Sequence, residues 1–185
     1  MLSPAQNPHT GLAALLAPIE ASLASPPALA QVLAGLAHAG ALDDAAFYPA
    51  PRLDRYARRL IWHDPGDRFV VVGFTWAPGQ VSALHDHAGL AGAEVVVEGT
   101  MKETLYELVA RDEERYRFVE GTSRMSGRGA TGVLQPPREH HAFGNPGTVA
   151  ARTLHVYCGN LTSSLSFERQ GEWWSAKQID LTYDA

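Results

Sequence analysis

The N-terminal part of the chain carries the apolar spacing of amphipathic helices. Apolar residues recur there at intervals of three and four, as at Leu12, Leu15, Leu16 and Ile19, and again at Leu29, Val32, Leu33 and Leu36. This spacing places the apolar side chains on one face of a helix. Pro26 and Pro27 separate the two stretches and suit the first turn of a helix. The pattern predicts two or three short helices that pack against another part of the protein.

After about residue 55 the pattern changes to short apolar runs rich in Val, Thr, Tyr, Phe and Trp. Examples are RFVVVGFTWAPGQ, AEVVVEGTMKETLYEL and ARTLHVYCGNL, and turn-forming residues separate each run from the next. Such runs are typical of an all-β barrel or sandwich. No long linker or repeat interrupts them. We therefore predict a single domain over residues 1–185, with a helical cap over about 1–55 and a β-barrel over about 56–185.

Composition narrows the possible partners. The formal net charge is -5, and no basic run is present, so we expect neither nucleic acid nor a membrane surface as a partner. Cys158 is the one cysteine, which excludes an intramolecular disulfide and a thiolate metal cluster within the chain. Residues 1–20 have no basic segment, and proline interrupts their apolar stretch. This pattern argues against a signal peptide or membrane anchor and predicts a cytoplasmic protein.

Histidines are the candidate metal ligands. His85 and His87 lie two residues apart in LHDHAG, and an extended chain points both side chains to the same face. The later segment PPREHHAFGN offers His140 or His141 as a third ligand. An all-imidazole site suits zinc, copper, nickel or iron better than magnesium or calcium. Taken alone, a His-x-His pair can equally be a surface pair or a hydrogen-bonded pair in the core.

Two segments resemble the two motifs of the cupin superfamily: Gly79-x5-His85-x-His87 with Gly99 further on, and Pro136-x4-His141-x3-Asn145. The resemblance implies a mainly β fold, the double-stranded β-helix or jelly-roll barrel, in which His85, His87 and His141 converge on one metal ion. Many cupins carry a glutamate ligand five residues after the second histidine, where this chain has Gly92. We therefore expect a three-histidine site, with Glu94 as an alternative ligand if the strand register is shifted.

Among cupins, the chain resembles the thiol dioxygenase family, and cysteine dioxygenase in particular. The matching segments keep the family's order from about residue 56 to 157: Tyr56-Ala-Arg58, His85-Asp-His87, Gly99-Thr-Met-Lys-Glu-Thr-Leu-Tyr106, His141-Ala-Phe-Gly-Asn145 and Thr153-Leu-His155-Val-Tyr157. The resemblance implies one Fe²⁺ per chain. It also implies oxidation of a small thiol to a sulfinate with both atoms of O₂, with L-cysteine as the expected thiol.

The same resemblance assigns roles to the other matching residues. Arg58 and Tyr56 correspond to a substrate clamp, and a guanidinium group matches the two oxygens of a carboxylate. Tyr157 is expected to donate its hydroxyl to the substrate side of the site, and His155 to orient it. Animal members of the family carry a cysteine, cross-linked to the tyrosine, at the position of Gly92. No such cross-link can form here.

Two alternatives remain open at the level of the sequence. One is a dioxygenase for another small thiol such as 3-mercaptopropionate; related enzymes that prefer this thiol carry glutamine at the position of Arg58. The other is a non-catalytic metal-binding cupin, since the fold alone does not determine function. The Tyr-x-Arg and His-x-Tyr segments favour an enzyme, because a pure metal binder needs neither. His140 is expected to face outward, opposite to His141.

Overall fold

The computed structural model describes residues 8–184, and their side chains from residue 12 onward. Helix α1 spans Pro8–Ser22, helix α2 spans Pro26–His38, and a short 3₁₀ turn spans Ala45–Phe47. Ser25 precedes α2, and its side chain accepts a hydrogen bond from the backbone N–H of Ala28 at 3.4 Å. The predicted N-terminal helices and the helix start at the proline pair are thereby confirmed.

Eleven β-strands follow the helices in the described part of the chain. Their bounds are β1 Ala57–His63, β2 Val70–Trp76, β3 Leu84–His85, β4 Gly92–Glu98, β5 Met101–Asp112, β6 Arg115–Ser126, β7 Thr131–Leu134, β8 His141–Gly144, β9 Ala151–Tyr157, β10 Ser163–Gln170 and β11 Trp173–Asp180. The predicted mainly β fold with a helical cap at its N-terminal side is confirmed.

The strands form two antiparallel groups. One is a five-stranded sheet in the order β1-β2-β9-β4-β7, and the other is a closed ring in the order β10-β11-β6-β5-β8-β3. Neighbours in each group are often distant in sequence, so the chain passes repeatedly between the two groups. This arrangement is the double-stranded β-helix that the cupin resemblance implies.

The central strands β2, β9 and β4 of the five-stranded sheet are buried on both faces. Its outer face packs against α1 and α2 in one core cluster, which includes Ile19, Leu33, Val71 and Leu154. Its inner face carries a second cluster with Val72, Phe74, Trp76 and Tyr157. Because β2 is covered on both sides, all seven of its residues are buried, and the sequence shows a continuous apolar run instead of an alternating one. The inner face forms one side of the candidate site.

Two predictions about organisation stay predictions. The helices lie before residue 55 and the strands after it, but that they form one domain rests on the sequence argument. Residues 1–20 lack the pattern of a signal peptide, and of these residues 1–7 lie outside the described residues. None of the helices in residues 8–184 combines the length and the apolar character needed to cross a membrane.

Candidate metal and substrate site

Three histidines from two neighbouring strands lie together. His85 ends β3 and is the direct cross-strand partner of His141, the first residue of β8. His87 follows β3 two residues later. The three ring centroids are separated by 4.8, 4.9 and 5.1 Å, and one nitrogen from each ring lies within 4.8 Å of the other two. The geometry therefore brings together three donor atoms that could hold one metal ion.

The second nitrogen of each ring shows whether this group suits a metal. His85 Nδ1 lies 3.0 Å from the carbonyl oxygen of Ala83, and His141 Nδ1 lies 3.1 Å from Glu103 Oε1. Both bonds leave Nε2 as the donor atom for a metal. Both ring nitrogens of His87 are buried without a hydrogen-bond partner. Since a buried polar atom without a partner is costly, a metal ligand role would account for one of the two His87 nitrogens.

Burial and neighbouring charges together determine the pKa values of the three histidines. Burial lowers the pKa of His85 to about 3 and that of His87 well below its ordinary value, with the neighbouring histidines acting in the same direction. Burial also acts against protonation of His141, but the carboxylates of Glu94 and Glu103 outweigh it and raise the pKa of this imidazole. His85 and His87 are therefore neutral at neutral pH, which is the form that binds metal.

Glu94, the alternative fourth ligand, lies behind the histidines. It is fully buried on β4, with His155 as its partner on β9 and Gly132 as its partner on β7. Its carboxylate lies 3.1 Å from His155 Nδ1 and 3.9 Å from His141 Nδ1, the nitrogen that also contacts Glu103. Burial raises the pKa of Glu94 to about 7. The structure groups Glu94 with Glu103 and His141 and not with the three-histidine set.

A hydrogen-bonded chain leads from the core to the hydroxyl of Tyr157. The indole N–H of Trp76 donates to Thr153 Oγ1 at 3.0 Å, and Thr153 Oγ1 lies 2.9 Å from His155 Nε2. The hydroxyl proton of Thr153 is thus free to be donated to Nε2. A Thr153 hydroxyl that donates to Nε2 requires the ring proton of His155 on Nδ1, which lies 3.3 Å from the Tyr157 hydroxyl and 3.1 Å from Glu94 Oε2.

His155 and Tyr157, the last two residues of this hydrogen-bonded chain, are held in their neutral forms. Burial lowers the pKa of His155 well below its ordinary range and raises that of Tyr157 well above it. The Tyr157 hydroxyl can therefore accept a hydrogen bond from His155 and keep its own proton to donate. The ring of Tyr157 also stacks on His87, with 5.7 Å between centroids. Tyr157 thus adjoins both His155 and the three-histidine group.

Arg58 lies on β1 and lines the same cavity as His85, His87 and Tyr157. Its Nε is buried without a hydrogen-bond partner, and its guanidinium carbon lies 5.9 Å from the ring centre of Tyr56. The cavity measures about 100 Å³. For comparison, an apolar protein cavity of about 150 Å³ can hold benzene. The cavity is therefore suited to a molecule the size of a small amino acid.

A smaller adjoining cavity is lined by the remaining residues that the sequence predicts for the site. It is lined by His141 and His155, and it shares Tyr56, His85 and Tyr157 with the larger one. All seven residues singled out in the sequence therefore line one of two adjoining cavities. Their roles as ligands, clamp and donor remain proposals.

Some neighbours of the site were not singled out in the sequence. Glu103 follows the buried Met101 by two residues and therefore faces the same side of β5. An acidic residue at such an inward-facing position is the sequence feature that could have indicated its role. Ile179 and Leu181 line the larger cavity from the end of the chain, and only a fold could place them there. His140 does point away from His141. It is buried against Phe118 and Phe167, so the outward position expected for it was wrong.

Solved structures with similar folds are distant in sequence. A Klebsiella pneumoniae protein with a double-stranded β-helix domain is 20% identical, with a TM-score of 0.47 over 63% of this chain and 87% of that one. Lactobacillus farciminis oxalate decarboxylase is 19% identical, with a TM-score of 0.49 over 62% of this chain and 32% of that one. A Thermus thermophilus protein is 16% identical, with a TM-score of 0.44 over 60% of this chain and 90% of that one.

The family assignment follows from a different comparison. A family model described as cysteine dioxygenase type I matches residues 10–170, which is most of the chain and includes every residue singled out in the sequence. The family implies a metal-binding dioxygenase that acts in general on a small thiol and O₂. The chain belongs to the cysteine dioxygenase type I family.

Proposed function

We propose that this protein is a cytoplasmic, iron-dependent thiol dioxygenase that converts L-cysteine and O₂ to cysteine sulfinate. The observation that carries the proposal is the common cavity of Arg58, Tyr157, His85 and His87, with His141 next to it. These side chains come from separate parts of the chain. A metal-binding protein without catalytic activity would need the three histidines but neither the guanidinium nor the hydroxyl.

In this proposal Arg58 binds the carboxylate of the substrate. Its Nε is buried without a partner, and an arginine in that state gains most from an anionic ligand with two oxygens. Asp86 also lines the cavity, but its acidic side chain would repel a carboxylate, and its Oδ1 already accepts hydrogen bonds from the backbone N–H groups of Leu165 at 2.7 Å and Ala88 at 3.3 Å. Arg58 is therefore the charged group that selects the substrate's carboxylate.

The three histidines would hold the iron, because three neutral imidazoles leave both the charge and part of the coordination sphere of Fe²⁺ available. Bound iron would supply the redox chemistry that combines a thiolate with O₂. In the overall reaction the sulfur loses four electrons, both oxygen atoms end on the sulfur, and the thiol proton is released to the sulfinate or to solvent. No further reductant is needed.

Tyr157 contributes a proton at the hydroxyl oxygen and not a charge. In this proposal His155 carries its ring proton on Nδ1 and donates it toward that oxygen, so that the phenolic proton points to the substrate side of the cavity. Thr153 fixes the orientation of the His155 ring through Nε2. The chain from Trp76 to Tyr157 thus keeps one hydrogen-bond donor in a defined position beside the substrate.

Oxygen consumption by the iron-loaded protein tests the function. We expect O₂ uptake with L-cysteine, with one sulfinate formed per O₂ consumed, and slower uptake with 3-mercaptopropionate. A higher kcat/KM for 3-mercaptopropionate would transfer the assignment to that thiol. Absence of uptake with either thiol, in protein that contains one iron per chain, would contradict a thiol dioxygenase.

Substitution of Arg58 tests the substrate clamp. Removal of a hydrogen-bonded charge pair in a partly buried site costs about 1.5–3 kcal/mol, so Arg58→Ala should raise the KM for cysteine about 10- to 100-fold. Iron content should stay the same. Arg117→Ala is the control, because Arg117 is exposed on β6. An unchanged KM in Arg58→Ala would remove Arg58 from the substrate site.

A further inference from the structure

The segment Leu181–Asp184, which follows β11, runs beside the start of β1. The backbone N–H of Leu181 donates to the carbonyl oxygen of Thr162 at 2.8 Å, and that of Asp184 donates to the carbonyl oxygen of Arg58 at 2.7 Å. The backbone N–H of Arg58 in turn donates to Asp184 Oδ2 at 3.0 Å. The segment is therefore attached to the main chain of the proposed clamp residue.

Asp184 fastens this segment through its carboxylate. Arg55 donates to it with two nitrogens, Nη2 to Oδ1 at 2.5 Å and Nη1 to Oδ2 at 3.0 Å, and Arg52 Nη1 lies 3.3 Å from Oδ1. The side chain of Asp184 is only 12% exposed. Paired, parallel contacts of this kind fix direction as well as distance. The last described residue of the segment is thus held in one place.

The same segment supplies part of the cavity wall. Leu181 and Ile179 line the cavity together with Arg58, His85 and Tyr157, and Leu181 packs against the core cluster that contains Tyr157. Both apolar residues lie beyond residue 170, where the match to the family model ends. The wall is therefore a feature of this chain that family membership does not describe.

We propose that Leu181 and Ile179 determine which thiols fit, and that Asp184 positions this wall and the backbone of Arg58. The inference rests on the proposed function. A carboxylate bound at Arg58 and a sulfur at the histidines set the length of the bound thiol, and the two apolar side chains limit the space beside it. The substrate class that fits is a short carboxylate-bearing thiol, and a thiol longer by one methylene is rejected.

The test is anaerobic calorimetry with the iron-loaded protein, using cysteine and homocysteine as probes. One methylene in an apolar pocket changes discrimination about 10- to 200-fold. We expect at least tenfold tighter binding of cysteine by the unaltered protein, and a ratio at least tenfold smaller in Leu181→Ala. Leu181→Phe, which narrows the same wall, should increase the ratio. Leu60→Ala is the control, because Leu60 is an exposed residue of β1 that lines neither cavity.

The contacts of Asp184 with Arg52, Arg55 and the backbone of Arg58, which we call the latch, are tested by Asp184→Asn. Asp180→Asn, at the exposed end of β11, is the control. Since Arg52 and Arg55 are partly exposed, we expect about a fivefold rise in the KM for cysteine. kcat should be unchanged, because Asp184 positions the wall and touches no reacting atom.

The outcomes separate the two proposals. Cysteine binding with the same cysteine-to-homocysteine ratio in Leu181→Ala, Leu181→Phe and Leu60→Ala would overturn the wall and leave the dioxygenase standing. A change in kcat with an unchanged KM in Asp184→Asn would overturn the latch. Absence of thiol binding by the unaltered iron-loaded protein would overturn the dioxygenase, and the wall with it.

Discussion

At the scale of single residues, the three histidines differ in what holds them. His85 donates to a backbone carbonyl, His141 faces the carboxylate of Glu103, and His87 has no hydrogen-bond partner for either nitrogen. Glu103 is itself held by Arg124, whose Nε lies 2.8 Å from Oε2. A carboxylate in contact with the far nitrogen of a ligand orients the ring and makes it a better donor. His141 is therefore the best-supported of the three candidate ligands.

Glu103→Gln should weaken metal binding about 10- to 100-fold, because loss of such an outer carboxylate has this effect in other metal sites. The amide keeps the shape of the side chain and loses its charge. Competition with a chelator of known affinity measures the change. Glu107→Gln, exposed on the same strand, should bind metal as the unaltered protein does. Equal affinities for the two variants would show that Glu103 does not support the ligand.

The sequence could predict which residues carry chemistry better than it could predict their neighbours. Spacing and motif order suggested His85, His87 and His141, and the structure places all three together. Glu103 and Glu94 reach the same region from two other strands, and their contacts depend on cross-strand register, which a sequence does not state. The contact of Asp184 with Arg58 joins the first and the last strand regions of the barrel, which are 126 residues apart in the sequence, and no local sequence pattern indicates it.

At the scale of elements, the sequence predicts those strands that lie between clear turn residues. It does not predict strands whose length is set by pairing with strands distant in the sequence. β2, β4 and β9 correspond to the apolar runs in the sequence. β3 contains only two residues, and it exists because β10 and β8 pair with its two sides. Gly92, which begins β4, lies directly opposite Tyr157 on β9. A Cβ atom at Gly92 would lie 2.3 Å from the carbonyl oxygen of Val156, so the two strands approach closely there.

Gly92→Ala should therefore lower the free energy of unfolding by about 1–3 kcal/mol, the usual cost of overpacking. Gly35 offers an opposite case, because it is exposed in α2 and a Cβ there would meet nothing within 4 Å. Gly35→Ala should raise the free energy of unfolding by about 0.5–1 kcal/mol. Urea denaturation of the metal-free proteins measures both. Changes of the same sign would contradict the close approach of β4 and β9.

The turn between β1 and β2 carries a pH-dependent contribution to stability. Asp64 accepts hydrogen bonds from the Arg68 guanidinium and from two backbone N–H groups, and Arg68 Nη1 lies 2.6 Å from Glu20 Oε1 of α1. These bonds, from Arg68 first of all, lower the pKa of Asp64 to about 2. A carboxylate with a lowered pKa stabilises the fold above its unfolded value of 3.8 and loses this effect as the pH falls toward 2.

Asp64→Asn should accordingly lower Tm at pH 7, and the difference from the unaltered protein should shrink between pH 4 and pH 2. Thermal unfolding at several pH values in that range measures it. Asp180→Asn, at an exposed position, should show no such convergence. A constant difference in Tm across the range would mean that the charge of Asp64 contributes nothing to the fold.

At the scale of the whole molecule, the helical cap, the five-stranded sheet and the closed ring of strands form three successive layers, with the sheet in the middle. The candidate site lies between the sheet and the ring. It takes Arg58, His155 and Tyr157 from the sheet and His85 and His141 from the ring. A metal held by residues of the ring and a substrate held by residues of the sheet would connect the two layers.

Metal binding should therefore stabilise the whole fold. A ligand at 100 times its Kd adds about 2.7 kcal/mol. For a domain of this size, 1 kcal/mol raises Tm by about 2–4 °C. We expect Fe²⁺ at this excess to raise the Tm of the metal-free protein by roughly 5–10 °C. His141→Ala should show no rise, whereas a full rise in that variant would place the metal at other residues.

The pairing of His85 with His141 also determines at which stage of folding the protein could bind a metal ion. The two residues are far apart in the chain, and only the ladder between β3 and β8 brings them face to face. The candidate site therefore forms only when β3 and β8 have paired, so the metal that enters it would depend on the folded barrel and the ions around it. Because imidazole sites bind zinc and copper more tightly than Fe²⁺, protein made in iron-poor cells should carry zinc or copper, even where Fe²⁺ is the metal that the proposed function requires. The iron content of the purified protein would then depend on the iron available in the cell as much as on the affinity of the site for iron.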